Sequence, residues 1–309
     1  MIVSRILVIR GGAMGDFILT LPAIRLLREA FPAAHLEILG YKHIVALAEM
    51  SGYANATRSI EYGPLASFFS RDGELPAELA EYFGSFRQVV SYLFDPDRIF
   101  ATNLKRAGVR NFLAGPGKMT EKEHVARQLA RPLENLALYL EDPAAIIVPD
   151  EPRAMDPVLW AIHPGSGSAK KCWPLERFVS LAESLLEGDE KRRLLFIGGE
   201  ADEKRLANLG RLLPNDRISL VWNRSLPALA NLLQNCRMFI GHDSGISHLA
   251  AAVGTPALLL FGPTDPAIWA PQNRQVRVLR SVDLTMEGIE LPDVLEAVAD
   301  ASRDLLFRS

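Results

Sequence analysis

Cysteine is scarce in this chain, with only Cys172 and Cys236 among 309 residues. Neither belongs to a CxxC pair, so the sequence predicts no disulfide framework and no zinc site, and we expect two buried thiols in a reducing compartment. Long hydrophobic runs are missing as well. The segment MIVSRILVIRGG is apolar for only a few residues before charge and glycine interrupt it, which is too short for a signal peptide or a membrane span. We therefore expect a cytoplasmic protein without stable membrane insertion.

Neither sign of charge is in excess. Lys and Arg number 34 and Asp and Glu 37, which gives a net charge of -3 without asymmetry between the two halves. A nucleic-acid-binding surface usually shows as a basic excess or stripe, so nucleic acid is not an expected partner. With 49% hydrophobic and 23% charged residues, the chain has the composition of a folded α/β protein of about two domains.

Short β-branched runs alternate with longer amphipathic runs, a pattern that predicts βα units and parallel sheets. In the first half we predict strands at 6–9, 35–39, 88–93 and 109–113, and helices at 16–30 and 129–140. In the second half we predict strands at 159–162, 194–197, 238–240 and 257–261, and helices near 174–187, 201–212, 226–235, 244–253 and 291–307.

The segment 141–157 contains four prolines and five acids without periodicity, and it predicts a linker. The expected domains are therefore 1–150 and 151–309, each Rossmann-like, with parallel sheets facing across a cleft where ligands would bind. The sequence leaves open whether the final helix packs on its own domain or back on the first.

The first segment that carries chemistry is Arg10-Gly-Gly-Ala-Met-Gly-Asp16, between a strand and a helix. Its glycines allow positive φ, and the helix start offers unpaired N–H groups. A dinucleotide-binding turn has the spacing GxGxxG, whereas this turn has GGxxG and a carboxylate that would repel a pyrophosphate. From the residues alone, Asp16 is either the N-cap of the helix or a functional acid.

The second segment is His163-Pro-Gly-Ser-Gly-Ser-Ala-Lys-Lys-Cys-Trp-Pro174. Small residues let the backbone curl around an anion, and Lys170 or Lys171 would supply positive charge for a phosphate. The alternative is a surface loop with solvated lysines. We expect His163 to be a hydrogen-bonding loop residue rather than a base.

The third segment is Ile240-Gly-His-Asp-Ser-Gly-Ile-Ser-His248, where a strand passes into a helix. Amides and the Ser244 hydroxyl at that helix start suit a diphosphate, and His248 lies one turn on, facing the same side as Ser244. A hydrolase built from Asp243, Ser244 and His248 is disfavoured, because GxSxG is absent and one helical turn cannot order a triad.

Two more polar turns follow strands of the second half, at 198–203 and 262–266. Glu203 is a candidate for gripping ribose hydroxyls or for capping a helix, and Thr264 is expected near the same edge of the sheet. Four strand ends thus carry small polar turns, which predicts that the second domain binds the nucleotide.

These motifs, in this order, resemble the heptosyltransferases of lipopolysaccharide core synthesis and the wider glycosyltransferase family 9, which have the two-Rossmann-domain GT-B architecture. The resemblance rests on three stretches and a fourth shorter one: RGGAMGDFILTLPAIRLLREAFP, HPGSGSAKKCWP, GHDSGISHLAAAVGTP and LLLFGPTDP. It covers about residues 5 to 270.

The resemblance implies an inverting transfer that needs neither a metal nor a cofactor. It assigns Asp16 as the catalytic base beside Gly15. It assigns the donor diphosphate to Lys171 and to the turn of Asp243, Ser244 and Gly245, with His248 in support. Glu203 and Thr264 are its candidates for the ribose and nucleotide.

The implied partners are a nucleoside-diphosphate sugar, ADP-heptose by resemblance, and a glycan or glycolipid acceptor. We expect a monomer that can make peripheral contact with the inner membrane. Residues 94–105 depart from the Lys- or Arg-bearing segment with which the family meets its anionic acceptor, so the acceptor and the sugar stay open. Two other functions also stay open: a nucleotide-sugar epimerase or hydrolase on the same architecture, and a non-catalytic nucleotide-sugar-binding protein.

Overall fold

The chain folds into two compact units, with the boundary between Pro143 and Ala144. The structure is a computed structural model that describes residues 4–199 and 202–306. Both units are α/β with parallel sheets, which confirms the predicted fold class.

The first unit builds a sheet of five described strands in the order β3-β2-β1-β4-β5. Its elements are β1 (Arg5–Arg10), α1 (Met14–Ala30), β2 (His35–Gly40), α2 (Lys42–Met50), β3 (Ala56–Ser59), α3 (Ala77–Gly84), β4 (Gln88–Ser91), α4 (Ile99–Arg106), β5 (Phe112–Ala114) and α5 (Val125–Ala130), with 3-10 turns at Gly63–Phe69 and Arg131–Leu136. The β1 strand is central and buried, and an aromatic cluster of Phe68, Phe83 and Phe100 packs in the core beside it. The chain runs from β1 to one side of the sheet and then returns to β4 on the other, so the topological switch point lies between β1 and β4.

The second unit builds a sheet of six described strands in the order β11-β10-β9-β6-β7-β8. Its elements are β6 (Asp156–Ile162), α6 (Leu175–Glu187), β7 (Arg193–Gly198), α7 (Glu203–Leu212), β8 (Ile218–Trp222), α8 (Leu226–Gln234), β9 (Cys236–His242), α9 (Gly245–Ala252), β10 (Ala257–Phe261), α10 (Pro266–Trp269), β11 (Val276–Arg280) and α11 (Leu291–Leu306). Here the switch point lies between β6 and β9, the position at which open α/β sheets bind ligands.

The predicted central strands are all present, and the elements that the sequence analysis missed are mainly helices of the first unit and edge strands. The β3 and β8 strands have no fully buried residue in their burial pattern. The β3 residues also lack the apolar run that predicts a strand, whereas β8 contains one that the sequence analysis did not assign. The predicted helix 129–140 is wrong. The α5 helix ends at Ala130 and a 3-10 turn follows, because Pro132 has no N–H to continue the α-helical hydrogen bonds.

The proline-rich segment 144–155 is held against the second unit. Ile147 is 3% exposed and its amide donates to the Ala252 carbonyl over 2.9 Å. The Asn231 side chain donates to the Asp150 carboxylate at 2.7 Å, and Asn273 donates to the Ala145 carbonyl at 2.8 Å. This part of the expected linker is therefore an extended strap on the second unit.

The structure also shows where the final helix packs and how far each cysteine is buried. Val294, Val298 and Ala301 of α11 lie in the core of the second unit. Cys236 is buried, and burial raises the pKa of its thiol to about 12. Cys172 is only half-buried, so the expectation of two buried thiols is wrong for this residue.

Candidate functional site

The carboxyl ends of β6 and β9 bring two of the predicted segments together at the switch point of the second sheet. The His163 amide donates to the Ile240 carbonyl at 2.9 Å, which continues the pairing of the two strands into the turns that follow them. The Ser166 hydroxyl then donates to the Asp243 carbonyl at 2.8 Å. The loop after β6 and the turn after β9 therefore form one structure.

The Lys171 side chain contacts the turn after β9, whereas the Lys170 side chain is exposed. The Lys171 ammonium lies 2.7 Å from Oδ2 of Asp243, whose side chain is 9% exposed. The sequence left both lysines open as phosphate ligands, and the structure brings only Lys171 to the turn of Asp243, Ser244 and Gly245. The ion pair also offsets the carboxylate charge at the start of α9, where an anion would otherwise be repelled.

The turn after β9 caps α9. Ser244 is the N-cap, and its Oγ accepts the Ser247 amide at 3.3 Å. The next amides, from Gly245 onward, belong to the first turn of the helix, where N–H groups lack intrahelical partners. Together with the Lys171 ammonium they make a site that can hold a phosphate or diphosphate.

The imidazole that contacts Ser244 Oγ is that of His163, at 3.1 Å from Nδ1. His248 is buried one turn into α9, and Asp243 gives its carboxylate to Lys171. The Asp243, Ser244 and His248 hydrolase arrangement considered above is therefore not supported by this geometry.

Asp202 holds the other side of His163. Its Oδ2 lies 3.2 Å from His163 Nε2 and accepts the Gly199 amide at 2.9 Å. Burial by itself raises the pKa of Asp202, but the hydrogen bond and charge of His163, the Gly199 amide and Arg205 outweigh it and hold the pKa below its usual value. The loop after β6 also packs directly on this carboxylate, since a Cβ on Gly165 would lie 1.9 Å from Asp202 Oδ1.

His242, the last residue of β9, contacts the same loop at two backbone groups. The Trp173 amide donates to His242 Nε2 at 3.0 Å, and His242 Nδ1 lies 3.3 Å from the Gly165 carbonyl. Burial lowers the pKa of His242 to about 3, so this imidazole is neutral, with its proton on Nδ1. Trp173 is fully buried and its indole N–H donates to the Ile289 carbonyl at 2.8 Å.

Sequence reasoning did not assign Asp202 or His242. Both lie at or just after strand ends, next to segments that were identified, and their polar side chains follow apolar strands. The sequence pattern could therefore have placed both residues near the site, but it could not predict their partners, which lie about 40 to 80 residues away in the chain.

The two nucleotide candidates occupy different surroundings. Glu203 begins α7 and is exposed, and its neighbours Glu200 and Ala201 lie outside the described residues. Thr264 follows β10, the strand next to β9, and its Oγ1 is buried without a hydrogen-bond partner in the described part of the chain. A buried hydroxyl without a partner is a group that a ligand can satisfy.

In the first unit, Asp16 lies at the switch point beside β1. The α1 helix begins at Met14, its N-cap is Ala13, and Asp16 is the third helical residue, so the N-cap interpretation is wrong. Asp16 Oδ2 accepts the Ala13 amide at 3.2 Å, and the side chain is 43% exposed. Gly12 has φ +91°, and a Cβ there would lie 3.0 Å from this carboxylate, which explains a glycine at that position. Gly15 precedes Asp16 in the first turn.

Arg10 is a site residue that the sequence analysis did not assign. Its guanidinium lies 3.8 Å from Asp16 Oδ1, donates to the Asp16 carbonyl at 3.2 Å, and donates to the Tyr92 carbonyl at 3.3 Å. Burial lowers the pKa of Arg10, against the charges of Asp16 and Tyr92, which raise it. The sequence feature that could have identified Arg10 is a charged residue at the carboxyl end of a strand whose interior is apolar.

In residues 4–199 and 202–306, none of the helices combines the length and the apolar character needed to cross a membrane.

Comparison with known proteins places these features in a family context. Residues 118–297 match the family model described as "Glycosyltransferase family 9 (heptosyltransferase)". The chain is 24% identical over 299 residues to lipopolysaccharide heptosyltransferase 3 of Escherichia coli, covering 85% of this chain and 84% of that protein. With three other curated heptosyltransferases the alignment spans about a third of their length, 34%, 34% and 32%.

Two solved structures share the fold over nearly the whole chain. One is E. coli ADP-heptose lps heptosyltransferase II, with a TM-score of 0.79 and 17% identity, covering 98% of this chain and 99% of that one. The other is E. coli heptosyltransferase WaaC with ADP, with a TM-score of 0.74 and 16% identity, covering 96% and 99%.

Proposed function

This chain belongs to glycosyltransferase family 9, and we propose that it is an inverting, metal-independent glycosyltransferase. It moves a sugar from a nucleoside-diphosphate donor to a hydroxyl of a cell-envelope glycolipid or related glycan. The observation that carries the proposal is the anion site at the β6/β9 switch point, where the Lys171 ammonium and the start of α9 converge.

The donor diphosphate is held by this anion site. Lys171 supplies a point charge, the amides of the first turn of α9 supply hydrogen bonds, and Ser244 supplies a hydroxyl. The Asp243 carboxylate holds Lys171 in place and leaves the backbone of the turn to face the anion. These groups offset the charge that develops on the departing diphosphate, which is the part a metal plays in other transferases.

The nucleoside is assigned to the neighbouring strand ends. The unpartnered Thr264 hydroxyl lies after β10, and Glu203 lies at the start of α7 after β7. Because one protein of the same fold is an ADP-heptose lps heptosyltransferase and another is a heptosyltransferase with bound ADP, we propose ADP-heptose as the donor.

Asp16 is the general base of the transfer. Its half-exposed carboxylate takes the proton of the acceptor hydroxyl while the acceptor oxygen forms its bond to the anomeric carbon. The bond from that carbon to the diphosphate oxygen breaks, and the diphosphate leaves with the electron pair. One base without a second nucleophile gives a single displacement and therefore inversion. The buried Arg10 guanidinium lies 3.8 Å from Asp16 Oδ1 and gives the carboxylate a positively charged neighbour.

The test is an assay of the purified full chain with ADP-heptose and a truncated lipopolysaccharide acceptor. We expect ADP release that depends on the acceptor, a product of inverted anomeric configuration by NMR, and unchanged turnover in excess EDTA. Free heptose formed without acceptor would instead identify a hydrolase, and an epimerised donor an epimerase. Donor binding without turnover on any acceptor would identify a binding protein, and loss of turnover in EDTA would contradict metal independence.

A further inference from the structure

The proposed donor site has no net positive charge for the anion it would bind. Its described cations are Lys171 and Arg205, and each has a carboxylate nearby: Asp243 lies 2.7 Å from Lys171, and the charge of Arg205 acts on Asp202. Two cations against two carboxylates leave the site formally neutral. A diphosphate that enters it brings at least two negative charges, so a further positive charge would strengthen binding.

Imidazoles are the groups that can supply that charge near neutral pH. His242 cannot, because its Nε2 already accepts the Trp173 amide and burial lowers its pKa to about 3. His163 has the contacts that an imidazolium needs. It is 3% exposed, and the Asp202 carboxylate lies 3.2 Å from its Nε2. The Ser244 hydroxyl oxygen, which can accept a hydrogen bond, lies 3.1 Å from its Nδ1.

The direction of the His163–Ser244 hydrogen bond depends on the charge of the imidazole. In neutral His163, with its proton on Nε2 toward Asp202, Nδ1 can only accept, so the Ser244 hydroxyl donates to it. In the imidazolium, Nδ1–H donates to Ser244 Oγ, and the hydroxyl proton of Ser244 is released toward another acceptor. Ser244 Oγ already takes the Ser247 amide and lies 3.0 Å from Ser247 Oγ, which donates its own proton to the His242 carbonyl. The Ser247 oxygen accepts the released Ser244 proton in the empty site, and a phosphate oxygen at the start of α9 competes with it when the ligand binds.

We propose that His163 is a positioning residue of the donor site that takes up one proton from solvent when a diphosphate binds. Asp202 holds the imidazolium through Nε2, and the imidazolium orients the Ser244 hydroxyl toward the phosphate through Nδ1. The proton returns to solvent when the diphosphate leaves. This inference rests on the proposed function, since it concerns the same donor site.

Among the charged and titratable groups near His163, the Asp202 carboxylate is the one that favours the imidazolium. Asp202, at the start of α7, has a lowered pKa and stays a carboxylate at neutral pH. Arg205 on α7 carries a like charge, His242 of β9 is neutral, and the Asp243 carboxylate is paired with Lys171. His248 on α9 is the third imidazole of the site, and the experiment must separate it from His163.

The experiment is calorimetric titration of the full chain with ADP and, separately, with inorganic pyrophosphate, at pH 7.0 to 8.5 in buffers of different ionisation enthalpy. At the upper end of this range the terminal phosphate of ADP has already lost its last proton, whose pKa is about 6, so the proton count is taken from ADP and pyrophosphate reports affinity only. We expect net proton uptake on binding, and a Kd that rises with pH by at most about tenfold per pH unit.

The His163→Asn variant keeps a polar group near Ser244 but cannot become charged, so we expect it to bind both ligands more weakly, without proton uptake and without the pH slope. The Asp202→Asn variant still accepts the Gly199 amide and should show reduced uptake, and it carries the test if the first variant fails to fold. His43→Gln, an exposed histidine of the first unit, is the matched control and should behave as the parent protein.

Three outcomes would overturn the inference. Binding by the parent protein without uptake would remove His163 from this role and leave the proposed function intact. Uptake that persists in His163→Asn and disappears in His248→Gln would move the role to α9. If neither ADP nor pyrophosphate binds, both the donor site and this inference are wrong.

Discussion

Asp16 has a structural contact as well as its proposed chemistry. One oxygen of its carboxylate accepts the Ala13 amide and the other lies near Arg10. Asp16→Asn keeps an oxygen that can accept the amide proton but cannot take a proton from an acceptor hydroxyl. We therefore expect an unchanged Tm and unchanged ADP affinity, with turnover lower by about 10²–10⁴-fold.

The measurement pairs thermal unfolding with steady-state transfer. Asp97→Asn is the control, since Asp97 is an exposed acid of the same unit that pairs with Arg71 at 3.4 Å. A stable Asp16→Asn protein that keeps nearly full turnover would remove Asp16 from catalysis, and an unfolded one would make it a structural residue.

Two adjacent lysines provide the second test at the scale of single residues. Lys171→Ala removes the ammonium from the anion site and leaves the nearly buried Asp243 carboxylate unpaired, so diphosphate binding should weaken by about 1.5–3 kcal/mol, roughly 10- to 100-fold. Lys170→Ala changes an exposed side chain and should have little effect. Calorimetry with ADP measures both, and equal, small effects would mean that neither lysine touches the ligand.

At the scale of elements, β9 and the loop after β6 depend on a neutral His242. Its pKa is about 3 in the folded protein and 6.5 ordinarily, so the unfolded chain binds the proton first as the pH falls. The stability from His242 is complete above pH 6.5 and is lost between pH 6.5 and 3, at about 1.4 kcal/mol per pH unit.

We expect the free energy of unfolding in urea to fall by roughly 2 kcal/mol from this residue alone between pH 7.5 and 5.0. His242→Gln can still accept the Trp173 amide but does not titrate, so it should be less stable at pH 7.5 and show a shallower pH dependence. Equal slopes for the variant and the parent protein would contradict the buried neutral imidazole.

At the scale of the whole molecule, the strap 144–155 decides where the second unit can be separated. The strap is hydrogen-bonded to that unit through Ala145, Ile147 and Asp150. A fragment 144–309 should therefore fold and bind ADP. A fragment 156–309 loses these hydrogen bonds and the burial of Ile147, and its Tm should be several degrees lower. Circular dichroism and calorimetry test both, and ADP binding confined to a fragment 1–143 would overturn the assignment of the donor site.

The sequence by itself determined the α/β class, the central strands, the chemistry-bearing turns and the resemblance to family 9. These features are local: a buried parallel strand is an apolar run, a turn needs glycine, and a motif is read along the chain. The edge strand β3 was missed because Ala56–Ser59 contains no apolar run, whereas the apolar residues of β8 could have predicted a strand.

Only the tertiary structure decided which side chains meet. It separated Lys171 from Lys170, brought His163 to Ser244, added Arg10 to Asp16, and laid residues 144–155 of the expected linker along the second unit. The contacts at the donor site depend on loops brought together by sheet pairing from about 70 to 80 residues apart, whereas Arg10 and Asp16 are only six residues apart in the chain. Local pattern has no information about that pairing, since it is decided by how the strands order themselves around the switch points.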